Sequence, residues 1–277
     1  MKVLARPIAP GRASAIATVS RVPFSFVGGA DPVTGRILDR STGAAGRRLA
    51  GRTFAFPHGK GSTVGSYVLY GLVKRGRGPA SIVNARAEAI VAVGAVLAGI
   101  PMVDGVDVAG LRTGDRVIVD ADRGFVDLPD VRAVPVVTAI LRNAGRILLV
   151  RRSGRVGSFR GRWSAVSGYL EGHEDTRDRA RREIREETGI TRARFRGTAP
   201  AIIARVGTTA YVVHPFLFDV PTRRVRLDWE NVESQWIRVD DLGKYATVPR
   251  LADVDKEPPA NRGQRRVPAN LGRNAAV

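Results

Sequence analysis

The amino-acid sequence predicts an α/β protein of two domains. Its 277 residues are more than one ordinary domain needs. The first half carries short β-branched runs between glycine-rich turns, and the second half sets one strongly charged helical stretch among strand-like runs. Hydrophobic residues make up 44% of the chain, which is sufficient for two apolar cores. A junction at residues 128–130 predicts domains over 1–128 and 131–252, and residues 253–277 are expected to form a basic, disordered tail.

In the first half, β-branched runs at residues 15–19, 64–73 and 116–120 indicate strands. Turn signals separate these runs, among them Gly28-Gly29 and Thr34-Gly35. The apolar stretch at 85–97 fits a buried helix or a buried strand, since periodicity does not separate the two. The first domain is therefore expected to be α/β or mostly β.

The second half begins with two strand-like runs, residues 131–141 and 146–150, joined by a turn at 143–145. A loop rich in arginine and glycine follows over 151–162, and then a helix over about 174–188. Further strands are expected near 201–206, 211–219 and 236–239.

Composition excludes several classes of site. The chain has no cysteine, which rules out disulfides, zinc–thiolate centres, catalytic thiols and a self-supplied iron–sulfur cluster. The formal charge of +19 is almost entirely arginine and is spread over both halves, so it indicates arginine in place of lysine rather than a nucleic-acid-binding arm. Such a surface would attract small phosphorylated metabolites. The longest apolar run, 89–103, is too short to span a bilayer, and the sequence predicts a cytoplasmic protein without a membrane partner.

The strongest functional signal is a carboxylate stripe in the predicted helix. Glu183, Glu186 and Glu187 stand at positions i, i+3 and i+4 and share one helical face. Like charges crowded in this way suit a hard divalent cation with oxygen ligands, above all Mg²⁺. Glu174 is expected to begin the helix and fold back toward the same place. A purely structural interpretation is a salt-bridged helix, with i, i+4 pairs such as Arg179–Glu183.

The spacing of these residues resembles the signature of the Nudix hydrolases. The matching positions are Gly168, Glu174, Arg182, Glu183, Glu186, Glu187 and Gly189. The resemblance implies an α/β/α sandwich that hydrolyses a diphosphate linkage with Mg²⁺ or Mn²⁺. It also implies that Glu183, Glu186 and Glu187 hold the metal and that Arg182 and Gly189 shape the motif.

The resemblance leaves the catalytic base and the substrate open. Glu174, Glu186 and Glu187 are candidate catalytic residues, and a later glutamate, Glu230 or Glu233, is an alternative base. Gly168, together with Arg151 and Arg152 of the preceding run, is expected to contact the substrate. The sequence departs from the common family pattern at Val166-Ser167-Gly168 and at His173, and neither departure removes a carboxylate.

A weaker signal lies in the first half, in the loop Gly59-Lys60-Gly61-Ser62. Glycines let backbone N–H groups approach an anion closely, and a serine held there can have its alkoxide stabilised. Taken alone, the loop equally fits an ordinary turn.

The context of this loop resembles the small subunit of the aconitase X group, whose archaeal members include phosphomevalonate dehydratase. The resemblance rests on residues 23–37, on Ala98-Gly99-Ile100-Pro101 and on a length of about 128 residues. It implies a swivelling β/β/α domain in which Ser62 accepts a proton and Gly59, Lys60 and Gly61 contact the substrate. It further implies a partner, the large subunit, which carries a [4Fe-4S] cluster.

Together the two resemblances predict a fusion of a dehydratase small subunit with a Nudix hydrolase. An alternative is that the second domain senses a nucleotide and regulates the dehydratase. Isopentenyl diphosphate isomerase, which shares the Nudix fold, resembles the chain less, because its proton transfers involve a cysteine that is absent here.

Overall fold

The computed structural model describes residues 1–172 and 174–254, and the chain divides into two compact units, Met1–Arg132 and the residues from Ala133 onward. The predicted tail lies outside the described residues from position 255 on. Both units combine a sheet with helices, so the predicted class of two α/β domains is confirmed.

The first unit is built on an eight-stranded sheet with the order β1-β8-β7-β3-β4-β5-β6-β2. Its strands are β1 (Lys2–Leu4), β2 (Arg6–Ala9), β3 (Arg12–Val19), β4 (Arg52–Phe56), β5 (Ser81–Asn84), β6 (Met102–Asp104), β7 (Arg116–Asp120) and β8 (Phe125–Asp127). Its helices are α1 (Phe26–Gly29), α2 (Gly65–Lys74) and α3 (Ala89–Ala98), with 3-10 turns at Arg40–Thr42 and Val108–Gly110. Strands β3 to β6 are parallel neighbours, and α2 and α3 are the crossovers of β4-α2-β5 and β5-α3-β6.

The predicted strand at 64–73 is wrong, because this segment forms helix α2. Its buried residues include Ser66, Leu69 and Leu72, which are three residues apart and therefore share one helical face. The ambiguous stretch at 85–97 contributes α3, which begins after Glu88, whose side chain accepts the Ile90 N–H at 3.0 Å. With two crossover helices, the first domain is α/β and not mostly β.

The core of the first unit contains an aromatic cluster of Phe24, Phe26, Phe54 and Phe56. Phe24 contacts the ring of Phe54 edge-on at a centroid distance of 4.9 Å. The backbone of Phe24 also pairs with that of Gly59, so the cluster anchors the first residues of the glycine-serine loop.

The second unit is also built on an eight-stranded sheet, with the path β11-β10-β9-β15-β13 and with β12, β14 and β16 paired to β9, β15 and β10. Its strands are β9 (Arg132–Asn143), β10 (Arg146–Arg152), β11 (Trp163–Ser164), β12 (Val166–Tyr169), β13 (Arg194–Thr198), β14 (Ile202–Val206), β15 (Thr209–Asp219) and β16 (Asn231–Ile237). Its helices are α4 (Thr176–Thr188) and α5 (Leu251–Val254), with a 3-10 helix at Val239–Lys244.

The predicted helix exists, but Glu174 does not begin it. Helix α4 starts at Thr176, and the side chain of Asp175 caps it by accepting the N–H groups of Arg177 at 2.9 Å and Asp178 at 3.1 Å. Glu174 therefore precedes the helix. The last predicted strand is also displaced, since β16 ends at Ile237.

Helix α4 packs on one face of the second sheet through Ala180 and Ile184, which are fully buried beside Val150 and Phe218. On the other face, Leu242 of the 3-10 helix and Leu251 of α5 pack against Ile147 and Leu149 of β10. The packing of Ala180 and Ile184 fixes the rotation of α4, and it is this rotation that directs the glutamate face. Among the described residues, no helix has both the length and the apolar character needed to cross a membrane.

Candidate functional site

The glutamate stripe of α4 faces partly inward. Glu183 and Glu187 are 5% and 2% exposed, whereas Glu186 is exposed. Burial raises the pKa of the Glu183 carboxyl, and it raises that of Glu187 to about 8. The acids therefore do not extend together into bulk solvent. Two of them are held against the sheet.

Glu183 lies directly against strand β12. A Cβ atom at Gly168 would overlap the Cδ and Oε1 atoms of Glu183, so only glycine leaves room for this carboxylate. The guanidinium of Arg179, one turn earlier on α4, forms an ion pair with Glu183 and reaches Glu174 at 3.9 Å. Arg179 thus partly compensates the charge of a buried carboxylate.

Glu187 is held from two sides. Its Oε1 accepts the backbone N–H of Ser167 at 2.9 Å, and its Oε2 accepts Nδ2 of Asn231 at 2.7 Å. Ser167 belongs to β12 and Asn231 begins β16, so the carboxylate joins the helix to two strands. These hydrogen bonds favour the charged form, but desolvation is the larger effect on its pKa.

Glu174 sits beside the helix in the preceding loop. Its Oε1 accepts the backbone N–H of Glu171 at 3.1 Å, and its Oε2 pairs with the guanidinium of Arg182 at 3.2 Å. The i, i+4 ion pair Arg179–Glu183 that the sequence suggested is present in the structure. Arg182 turns instead to Glu174, which brings Glu174 back toward the helix as its position in the sequence suggested.

The two later glutamates occupy different places. The charge of Glu230 acts on the pKa values of both Glu183 and Glu187, and burial raises the pKa of Glu230 itself. Glu233, in contrast, pairs with Arg151 at 3.0 Å across strands β10 and β16. Arg152 is among the charges that act on Glu230. Glu230 therefore interacts electrostatically with the buried carboxylates and with Arg152, whereas Arg151 has its partner in Glu233.

The donor chemistry of this cluster fits a divalent cation. Its donors are carboxylate oxygens, the ligands that Mg²⁺ and Mn²⁺ prefer, and Gly168 leaves room for one of these carboxylates, that of Glu183. Across residues 1–172 and 174–254, however, no three acidic or histidine side chains are gathered closely enough to form a ready-made metal site. Of the buried carboxylates, Glu183 is engaged by Arg179 and Glu187 by Asn231.

The glycine-serine loop of the first unit requires both of its glycines. A Cβ at Gly59 would lie 2.5 Å from Val91 Cγ2 and 2.9 Å from Glu88 Oε2. Gly61 has a φ of +100°, and a Cβ there would lie 2.7 Å from Ser25 Oγ. The loop therefore packs tightly at its glycines, while Lys60 between them is exposed.

Ser62 lies on the exposed side of this loop, three residues before α2 begins. Its Oγ accepts the backbone N–H of Val64 at 3.3 Å, and its carbonyl accepts the N–H of Gly65 at 2.9 Å. Within the described part of the chain, no basic side chain is hydrogen-bonded to this hydroxyl. The loop presents a hydroxyl beside a helix N-terminus, an arrangement that favours negative charge.

Sequence reasoning missed several residues that build these sites. Asn231 directly follows Glu230, but only the pairing of β16 with β10 brings it under Glu187. Ser25 and Glu88 lie far from the glycine-serine loop in sequence and close its sides in space. No local pattern marks these contacts, because each joins separate elements.

Two family models match the chain. The model for the aconitase X swivel domain matches residues 2–128, and the NUDIX domain model matches residues 131–258. The boundary between the two matches falls next to the boundary between the structural units.

Similar proteins are found for each half. The phosphomevalonate dehydratase small subunit of Thermococcus onnurineus is 51% identical over 130 residues, which cover 47% of this chain and 100% of that protein. A crystal structure of Thermococcus kodakaraensis aconitase X in its holo form is 50% identical, covering 46% of this chain and 98% of that one, with a TM-score of 0.45. A crystal structure of a MutT protein from Methanosarcina mazei is 26% identical, covering 45% and 91%, with a TM-score of 0.40.

Proposed function

The chain belongs to the family of phosphomevalonate dehydratase small subunits and carries a NUDIX domain after it, and from this premise we propose that it combines two enzymatic roles. The second domain hydrolyses a diphosphate linkage in a nucleoside diphosphate derivative or a similar compound, with Mg²⁺ or Mn²⁺. The first domain acts as the small subunit of a phosphomevalonate dehydratase-like enzyme.

One observation carries the hydrolase proposal: two carboxylates of α4 are buried against β12, where Gly168 leaves room for Glu183 and the backbone N–H of Ser167 donates to Glu187. Burying Glu183 and Glu187 costs folding free energy, as their raised pKa values indicate. A fold would gain by replacing such acids with apolar residues unless the acids have a use. Binding a divalent cation is the use that suits their chemistry.

In this proposal Glu183, Glu186 and Glu187 hold the metal. When bound, the ion neutralises the diphosphate and lowers the pKa of an attacking water. Arg182 keeps Glu174 close to the helix through their 3.2 Å ion pair. Glu230, whose carboxyl is partly buried and interacts electrostatically with Glu186, is a better candidate than Glu233 to accept the proton of the water. Glu174, Glu186 and Glu187 are the other candidates.

Substrate contacts are proposed for Gly168 and for Arg151 and Arg152. A guanidinium binds phosphate oxygens in a planar, bidentate manner. Arg152 acts on Glu230 and so lies toward the carboxylates, which makes it the stronger candidate of the two arginines. Arg151 would have to leave Glu233 to contact a substrate.

For the first domain we propose that Ser62 accepts the proton next to a carboxylate of mevalonate 5-phosphate, with Gly59, Lys60 and Gly61 around the substrate. A large subunit carrying a [4Fe-4S] cluster is the required partner, since this chain has no cysteine with which to hold one. The exposed position of Ser62 leaves it accessible to a partner surface.

The test of the hydrolase is cleavage of a panel of nucleoside diphosphate derivatives and isoprenoid diphosphates with Mg²⁺, measured by chromatographic separation of the monophosphate products. Glu186→Gln should lower the rate by about 100-fold or more, because the variant removes a metal ligand without disturbing the buried residues. Glu171→Gln, also exposed and nearby in sequence, should keep the rate of the parent chain. An unchanged rate in Glu186→Gln would refute the assignment of the metal ligands.

The same panel separates catalysis from sensing. If the second domain only senses nucleotides, the parent chain binds them without turnover and cleaves no member of the panel. For the first domain, dehydration of mevalonate 5-phosphate should require an added large subunit and should be lost in Ser62→Ala. Full activity of Ser62→Ala in that mixture would refute the role of Ser62.

A further inference from the structure

A cavity of about 580 Å³ lies in the second unit on the side of α4 that faces away from the glutamates. Its wall residues come from the end of α4, from the segment that leads into β13, and from the end of β15. They are Arg181, Arg185, Ile190, Thr191, Arg192, Ala193, Arg194, Arg196, Asp219, Val220 and Pro221. Its size is that of a pocket for a small organic ligand.

Helical geometry places this cavity apart from the carboxylates. At about 100° per residue, Arg181 and Arg185 point about 170° away from the mean direction of Glu183, Glu186 and Glu187. The two arginines are exposed, whereas Glu183 is buried against β12. The cavity therefore lies outside the hydrolytic site proposed above.

The electrostatics of the cavity are one-sided, with five arginines facing one aspartate. That aspartate, Asp219, is already shared by Arg196 and by Arg142, which lies 2.9 Å away. Arg181 reaches Asp178 at 3.7 Å. Within the residues described, Arg185, Arg192 and Arg194 form no ion pair.

Such crowding is unfavourable in the free protein. Arg181 and Arg185 are an i, i+4 pair of like charge on α4, which destabilises a helix. Arg194 and Arg196 of β13 are both exposed and both line the cavity, and a β-bulge lies between Phe195 and Gly197. Two rows of guanidinium groups, one from a helix and one from a strand, thus converge on the same space, where a bound polyanion would relieve their repulsion.

The cavity also has apolar walls. The apolar surface open to a ligand comes from exposed Pro221 and half-buried Ala193, whereas Ile190 and Val220 are buried and contribute little to it. This apolar surface gives a place for the uncharged part of a ligand, while the guanidinium groups meet its anionic part.

From this arrangement we propose a second ligand site in the NUDIX half of the chain, which binds a small organic anion with two or more phosphates, of the size of a nucleoside diphosphate. The site does not require a divalent cation, because the arginines supply the positive charge. This proposal does not depend on the proposed hydrolytic activity, so an experiment that refutes one of the two proposals leaves the other in place.

The test is calorimetric titration of the full chain with ADP and, separately, with pyrophosphate, in EDTA and about 150 mM NaCl so that exposed charges are screened. Removing metal with EDTA suppresses binding of a diphosphate at the carboxylates, which repel it. ADP should bind, and the double variant Arg185→Ala/Arg194→Ala should weaken binding by about tenfold or more.

The matched control is Arg47→Ala/Arg48→Ala, which removes two exposed arginines from the first unit. It should change ADP affinity by less than about twofold, since it removes the same net charge from residues that do not line the cavity. Equal weakening of ADP binding by both double variants would show that binding depends only on the net charge of the protein, and it would overturn the proposal. An unchanged affinity in Arg185→Ala/Arg194→Ala would do the same.

Two further comparisons test the kind of ligand. ADP should bind more tightly than pyrophosphate, because the apolar walls contact its uncharged part, and equal affinity would overturn the assignment of an organic anion. The protein should not bind a single-stranded oligoribonucleotide more tightly than ADP through Arg185 and Arg194. Much tighter binding of the oligonucleotide, lost in Arg185→Ala/Arg194→Ala, would show that these arginines form an RNA-binding surface and would overturn the proposal of a small-molecule site.

Discussion

The buried Glu187 carboxyl predicts that the metal-free second domain loses stability as pH rises. Desolvation raises its pKa from 4.5 to about 8, so the folded state binds this proton more tightly than the unfolded state does. The resulting contribution to stability is fully present below pH 4.5 and is lost as pH rises through about 8. At 1.36 kcal/mol per pKa unit, the loss is at most about 5 kcal/mol.

Glu187→Gln isolates this contribution. The amide keeps the shape of the side chain but does not titrate. The Asn231 side chain, which donates to Glu187 Oε2 at 2.7 Å, can rotate so that its own oxygen accepts from the new amide. Because all other titrating groups are common to both proteins, the difference in unfolding free energy between variant and parent should grow in favour of the variant from about pH 5 to about pH 8.5.

The assay is urea unfolding in EDTA followed by tryptophan fluorescence. All three tryptophans, Trp163, Trp229 and Trp236, belong to the second unit, so the signal reports that domain alone. The expected gain of the variant is several kcal/mol at about pH 8.5 and close to zero at about pH 5. Glu171→Gln, an exposed control, should show no such trend. Parallel pH profiles for the parent chain and Glu187→Gln would refute the claim that burial controls this carboxyl.

Three further predictions concern single contacts. Gly168→Ala should lower the rate of hydrolysis by about 100-fold or more, because the new Cβ would displace the Glu183 carboxylate. The control Gly243→Ala meets no atom within 4 Å and should keep the parent rate in the same assay of monophosphate products. Arg179→Met leaves the buried Glu183 carboxylate without its ion-pair partner, so it should lower the unfolding free energy of the metal-free protein by about 3 kcal/mol. It should also lower the Mg²⁺ concentration needed for half-maximal stabilisation. Urea titrations at several Mg²⁺ concentrations measure both quantities, and parent values for both would contradict the prediction. Gly59→Ala should destabilise the first domain by about 1–3 kcal/mol through its contact with Val91, and calorimetry that finds an unshifted first-domain transition would count against the packing described.

Local pattern was sufficient where one element carried the information. The spacing of Glu183, Glu186 and Glu187 predicted one helical face, and α4 places them there. Pattern failed at residues 64–73, where β-branched and aromatic residues suggested a strand although Ser66, Leu69 and Leu72 follow a helical period. The propensity of single residues is weak compared with burial of a whole face, so the helix prevails.

The start of α4 shows a second limit of pattern. Glu174 and Asp175 are adjacent acids, and either can be taken for the beginning of the helix. The shorter side chain of Asp175 accepts the N–H groups of the first turn, and this leaves Glu174 to pair with Arg182. Element boundaries of this kind depend on capping geometry at the level of single hydrogen bonds.

The sequence by itself determined the two α/β domains, the helix that bears the carboxylates and the loop that bears Ser62, because each depends on residues close together in the chain. Only the tertiary structure decided which acids are buried, that Glu233 pairs with Arg151, and that the Asn231 side chain donates to Glu187. It also decided that arginines of α4 and β13 converge on one cavity. Burial and electrostatic coupling depend on distances between separate elements, and these distances are set by the packing of helices on sheets.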